Sequence, residues 1–147
     1  MTPSSRPAKR KRLLYVLIAL FSLGGLADAL YLTVEHITGQ SVRCTIVAGC
    51  SEVLSSSYAV VAGYPLASIG ALAYFSVFSL AILSLFEYQI AAKLLLPLVL
   101  GMCLVSLWLI YLQAFVIHAF CQFCLLSAAV TFCLTVLATV AWRMRSA

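Results

Sequence analysis

Four stretches of the chain run almost unbroken through apolar residues, at 13–34, 66–86, 94–117 and 123–142. Each reaches the roughly 20 helical residues needed to cross a hydrocarbon core. Polar residues collect between them as one long connection, 35–65, and two short ones, 87–93 and 118–122. The first stretch follows basic residues as a signal peptide would, but it exceeds a usual apolar signal region and reads as a retained helix. The pattern predicts an all-α integral membrane protein, a four-transmembrane-helix bundle with a long extracytoplasmic loop between helices 1 and 2. A single membrane domain over 13–142 is then flanked by a basic tail, 1–12, and a short C-terminus, 143–147.

The long connection contains Gly39, Gly49 and Gly63 and the serine run Ser55, Ser56 and Ser57. Long connections in compact domains are functional or disordered. Val53, Leu54, Tyr58, Val60 and Val61 recur at helix-like spacing, which predicts a short interfacial helix capped by Ser51. Pro65 suits the first turn of the next span. No internal repeat is visible.

Composition excludes a soluble domain: 65% of the 147 residues are hydrophobic and 9% charged, against about 25% charged in soluble domains. Mean hydropathy is +1.13. Of nine Lys and Arg residues, Arg6, Lys9, Arg10, Lys11 and Arg12 precede the first span, Lys93 lies between the second and third, and Arg143 and Arg145 follow the fourth. Only Arg43 falls on the other face. The positive-inside rule therefore predicts both termini in the cytoplasm. The net charge of +5 reports orientation and implies no nucleic acid. Cys44, Cys50, Cys121 and Cys124 then lie on the extracytoplasmic side, where disulfides persist.

These four cysteines carry the candidate chemistry. Cys121 and Cys124, in the run CQFC, lie one turn apart on one helix face, where a disulfide can close and reopen by exchange. Cys121 at a helix N-terminus would have its thiolate favoured by free backbone N–H groups. Cys124 lies about 4.5 Å deeper and is placed to face a lipid-soluble reactant. Cys44 and Cys50 lie in the loop, spaced too loosely for a rigid redox helix but able to travel. A soluble dithiol protein could reduce this pair, and a freed loop thiolate could pass electrons to CQFC. A quinone fits as acceptor because it takes two electrons and two protons. Competing readings are two structural disulfides and a zinc site, although zinc prefers tighter cysteine knuckles than Cys44 and Cys50 provide. Cys103 and Cys133 read as apolar packing residues.

The combination of Cys44 and Cys50 followed by Ser51-Glu52-Val53-Leu54-Ser55-Ser56, then Gly63-Tyr64-Pro65-Leu66-Ala67, then Cys121-Gln122-Phe123-Cys124 resembles the bacterial homologues of vitamin K epoxide reductase over nearly the whole chain. The resemblance implies a four-helix bundle around a quinone, ubiquinone or menaquinone, with CQFC as active site. It implies that Cys44 meets a thioredoxin-fold (DsbA-like) protein, Cys50 pairs transiently with Cys121, and Cys124 reduces the quinone. Ser56 matches a serine that the family uses near its active site, though a loop hydroxyl bonding to backbone would look the same. Some relatives carry a fused thioredoxin-like domain. Only residues 143–147 follow the last span here, so a separate partner is expected. Vertebrate members have a tyrosine one turn after the second CxxC cysteine, where this chain reads Leu125-Leu126-Ser127-Ala128; plain quinone reduction is the expectation. The disulfide bond formation protein B family would place the CxxC in the first outer loop, the reverse order.

Asp28 sits inside the first span, where a central carboxylate costs about 2.5–3.5 kcal/mol, and with Glu35 and His36 it is a candidate proton relay. Hydrogen bonding to another helix is the alternative for Asp28. His118 is a further candidate near the outer interface. Tyr58, Phe75, Phe115, Phe120 and Phe123 are candidate walls of a quinone site. Gly24, Gly25, Gly70 and Ser76 read as helix-packing positions. The function expected is a membrane thiol oxidoreductase passing electrons from an exported thioredoxin-like protein to a quinone in the bacterial inner membrane, supporting disulfide bond formation. The alternative is a membrane scaffold or metal-handling protein.

Overall fold

The computed structural model describes residues 5–39, 44 and 49–146. Helices α1 (Ser5–Thr38), α3 (Leu66–Leu85), α4 (Gln89–Tyr111, continued by a π-helical turn Leu112–Ile117) and α5 (Gln122–Ser146) form a membrane-type bundle. Each of the four is long and apolar enough to cross a bilayer. Contacts run in the ring order α1, α3, α4, α5 and back to α1, with α1 against α3 the most extensive. A small helix, α2 (Cys50–Ser55), covers one end of the bundle.

The apolar stretches understate α1, α4 and α5. Helix α1 has 34 residues, about 51 Å at 1.5 Å per residue, and so extends well beyond a core of about 30 Å. It begins at Ser5, so the basic residues expected in a solvated tail form its first turns. Helix α4 begins at Gln89, which puts Lys93 inside the helix; the connection before it is three residues. There Glu87, at φ 64°, occupies the left-handed position of a Schellman closure: Tyr88 N–H donates to the Leu83 carbonyl at 3.2 Å and Glu87 N–H to the Ser84 carbonyl at 3.1 Å. Arg43 lies outside the described residues.

The interfacial helix expected across Val53 to Val61 is shorter than its spacing suggested. It starts at Cys50 with Gly49, not Ser51, at the cap position. It ends where Ser56 turns extended, and the Ser56 hydroxyl donates to the Val53 carbonyl at 2.7 Å, a local bond that competes with helix continuation. Beyond a 3₁₀ turn at Ser57–Ala59, strands β1 (Val60–Val61) and β2 (Tyr64–Pro65) pair as a minimal hairpin. Ala62 and Gly63 both have positive φ, 53° and 85°, as a type I′ turn requires. This two-strand ribbon is the one departure from an all-helical fold among the described residues.

The bundle core combines Tyr15, Ile18, Tyr74, Val77, Val99 and Leu134 with small residues such as Ala29, Ala71, Ala81 and Ala138. Small residues let helices approach where lipid offers no hydrophobic drive to association. Gly25 is the close point: a Cβ there would overlap the Tyr74 ring, whereas Gly24 has open space and Gly70 only an ordinary contact with Ala29. Large apolar residues on the outside, Leu72 and Leu104 among them, face what would be lipid. At the end opposite α2, Arg145 donates to Gln89 Oε1, joining the end of α5 to the start of α4.

Candidate functional site

The loop is held to the bundle at Gly49. A Cβ there would lie 2.5 Å from the Phe120 carbonyl oxygen and 2.8 Å from the Phe120 nitrogen, so only glycine permits this backbone-to-backbone approach. The consequence is that Cys50, next in sequence, enters one buried cluster with Cys121, Leu32, Val53 and Ala119. Cys50 is 1% exposed and Cys121 0%. Cys44 and Cys124 pack against the same cluster. Cys44 and Cys50 form a disulfide with Cα atoms 5.8 Å apart, and Cys121 and Cys124 are free thiols.

Cys121 is the residue from which α5 starts, its carbonyl accepting the Leu125 N–H at 3.0 Å. Its own N–H donates to Gln113 Oε1 at 2.9 Å. Its thiol is held below the usual range, first by a hydrogen bond with the Cys124 thiol and further by the backbone N–H groups of Cys124 and Phe123, against burial and the nearby Asp28 carboxylate. These donors belong to the opening turn of α5, where the N–H groups have no intrahelical acceptors. The arrangement favours a thiolate at Cys121.

Cys124 instead borders a partly open cavity of about 460 Å³ lined by α1, α3, α4, α5 and the loop. Cys121 does not line it. The wall is mostly apolar, with Asp28, His36, Ser56, Tyr74 and Gln113 among its polar members. Asp28 Oδ2 is buried without a hydrogen-bond partner among the described residues. The Tyr74 hydroxyl is satisfied: it donates to the Ser127 carbonyl at 2.9 Å and lies 2.7 and 3.0 Å from the Ser127 and Thr131 hydroxyls. Pro97 removes a rung of the α4 ladder midway along the helix and lines the cavity beside Gly101.

Asp28, His36, Ser56 and Tyr58, all read from the sequence as candidates, lie on the cavity wall; Glu35, Phe75, Phe115, Phe120, Phe123 and His118 do not. Phe75 follows Tyr74, one position and about 100° round the helix, and is 56% exposed. Phe115 packs on Tyr111 at 5.2 Å between ring centroids, and Phe123 on Tyr31 at the same separation. His118 is exposed and adopts the left-handed conformation that ends the π turn. Sequence reasoning missed Tyr74, Gln113, Ser127 and Thr131. Polar residues inside apolar spans were the available signal, and only Asp28 was read that way.

Among the described residues no three His, Cys, Asp or Glu side chains converge as a metal site requires. What converges is a buried sulfur, that of Cys50, beside a thiol favoured as thiolate, with a second thiol on an apolar cavity. That is an arrangement for thiol–disulfide exchange inside a membrane protein. The model of the vitamin K epoxide reductase family matches residues 16–139, from α1 to near the end of α5. The chain belongs to the vitamin K epoxide reductase family, a family of membrane thiol oxidoreductases.

Proposed function

We propose that the protein carries electrons from a thioredoxin-fold partner through its two cysteine pairs to a quinone, so supporting disulfide formation in exported proteins. A partner thiolate attacks Cys44, forms a mixed disulfide and frees Cys50. Cys50 attacks Cys121 of an oxidised CQFC pair and frees Cys124. The partner's second thiolate then displaces Cys44 and leaves the partner oxidised. Cys44 reattacks Cys50, which restores the loop disulfide and frees Cys121. Each exchange forms one S–S bond and breaks one. Closing the Cys121–Cys124 disulfide finally releases two electrons and two protons, the number that converts a quinone to a quinol.

The observation that carries this reading is the shared burial of Cys50 and Cys121 while Cys124 borders the cavity. The cavity fits a quinone ring: it is largely apolar, and Asp28 presents an unpartnered carboxylate oxygen. Asp28 would accept a thiol proton and hand it to a quinone oxygen, with His36 toward the mouth on the same helix face, eight residues on. Ser56 and Tyr58 would border the ring. The eight cations at the end opposite the cysteines support cytoplasmic termini and an extracytoplasmic site in a bacterial inner membrane.

The test is quinone reduction by purified protein in detergent with a dithiol donor, comparing wild type with Cys124→Ala. Turnover lost in the variant is the expected result. A folded, quinone-supplied wild type that gives no turnover overturns the reading. Trapping tests the shuttle: a Cys50→Ala variant is expected to accumulate a mixed disulfide between Cys44 and an exported thioredoxin-like protein, and recovering none counts against it.

A further inference from the structure

Among the described buried polar side chains, Gln113 is the amide, 2% exposed. It stands in the π-helical turn that ends α4, where a wider turn displaces side chains from the α-helical phase. Its backbone carbonyl takes the Ala119 N–H at 3.1 Å as well as the His118 N–H. Its side-chain oxygen takes the Cys121 N–H at 2.9 Å. The residue is thus pinned through main chain and side chain together.

This pinning fixes which way the amide faces. A backbone N–H can only donate, and an amide nitrogen cannot accept, so Oε1 must point at Cys121 and Nε2 away from it. The Nε2 group donates to no described residue, and Gln113 lines the cavity that Cys124 and Asp28 also line. Two other polar wall residues, Tyr74 and Ser56, do not compete for the role. Tyr74 spends its hydroxyl proton within the Ser127 and Thr131 group, and the Ser56 hydroxyl is spent on the Val53 carbonyl.

We propose that Gln113 orients the electron acceptor, its clamped amide donating an Nε2–H hydrogen bond to a carbonyl oxygen of a quinone in this cavity. The inference rests on the quinone reading above and names the group that recognises the ring. The amide gives up no proton: both protons and both electrons of the reaction come from Cys121 and Cys124. As electrons reach the ring, negative charge builds on its oxygen, and a fixed donor there favours reduction. Because Oε1 is bonded to Cys121, the same residue ties the acceptor's position to that of the active-site turn.

The experiment measures quinone KM and dithiol KM separately in wild type, Gln113→Met and Gln113→Glu across a pH series, with folding checked by thermal melts. Met removes the donor; Glu keeps an acceptor for the Cys121 N–H and donates only when protonated. The expected quinone KM is raised about 5- to 10-fold in the Met variant at every pH, as loss of one hydrogen bond implies. In the Glu variant it should match wild type at the acid end and rise by a similar factor at the alkaline end. Asp28, His36 and the two thiols are ionisable groups common to all three proteins, so the difference from wild type isolates position 113. An infrared difference spectrum of bound quinone should show its carbonyl band at higher frequency in the Met variant. Wild-type quinone KM in both variants at all pH values overturns the proposal while leaving the quinone reading intact. If the Met variant does not fold, the pH profile of the Glu variant decides alone. Absence of quinone turnover in wild type overturns both.

Discussion

Cys124 hydrogen-bonds to Cys121, and that bond is the first cause of the lowered Cys121 proton affinity, so the group at position 124 sets the pH at which its neighbour becomes nucleophilic. In Cys124→Ser a hydroxyl can still donate, and the Cys121 thiolate should form below the usual thiol value of 9.0. In Cys124→Ala the donor is gone, and thiolate formation should move up toward that value. Exchange at Cys121 therefore rises with pH earlier in the serine variant than in the alanine variant; ultraviolet thiolate titration of each reads the order directly, and equal midpoints would remove Cys124 as the cause. Asp28 separates stability from function. A carboxylate without a partner destabilises a membrane span, so Asp28→Leu should raise thermal stability. If Asp28 transfers protons as proposed, both Asp28→Leu and Asp28→Asn should slow quinone reduction by about 100-fold. A stabilised Asp28→Leu protein with undiminished turnover would show that the carboxylate moves no proton.

Two contacts between elements position the site, and each has a diagnostic substitution. The first is the approach of Gly49 to Phe120, which seats α2 on the corner between α4 and α5. In a protein carrying Cys44→Ala and Cys124→Ala, Cys50 and Cys121 should join as a disulfide on mild oxidation. Adding Gly49→Ala should lower that yield several-fold while the helices remain folded, read by non-reducing electrophoresis and circular dichroism. An unchanged yield would mean that the loop reaches Cys121 without this seat. The second contact is Tyr74, whose hydroxyl joins α3 to Ser127 and Thr131 on α5. Tyr74→Phe should cost about 1 kcal/mol, in the range of membrane interhelical hydrogen bonds, measured as a lowered denaturation midpoint. Substitution of Gly25, which would press on the same ring, should affect the same joint.

At the scale of the whole molecule, eight cations gathered at one end and Cys44, Cys50, Cys121 and Cys124 at the other make orientation testable. In intact cells a membrane-impermeant thiol reagent should label Cys44 only after reduction, and a cysteine introduced at position 93 not at all; the reverse would invert the topology. Much of this architecture was legible in the chain. The four spans follow from length and apolarity alone, and the Cys44, Cys50 and CQFC spacings singled out four cysteines that the structure gathers at one end of the bundle. The helix phases were not legible, because a residue facing lipid and a residue facing the core are equally apolar: Phe75, 56% exposed, and Tyr74, 2% exposed, are neighbours in one unbroken run. The quinone-wall candidates Phe75, Phe115 and Phe123 failed to reach the cavity for that reason, and Tyr74 and Gln113 were missed. The extent of α2 was likewise hidden, since Ser56 ends it through a local hydroxyl bond and Ala62-Gly63 turn the following valines into a hairpin. What the sequence by itself determined is the number of spans, the charge asymmetry and the spacing of the cysteines, because hydrophobicity and thiol spacing are local properties. Only the tertiary structure decided that Cys50 and Cys121 share one buried cluster, that Cys124 borders the cavity and that Gln113 is bonded to the Cys121 N–H beside it, because those depend on helix rotation and on backbone contacts between residues far apart in the chain.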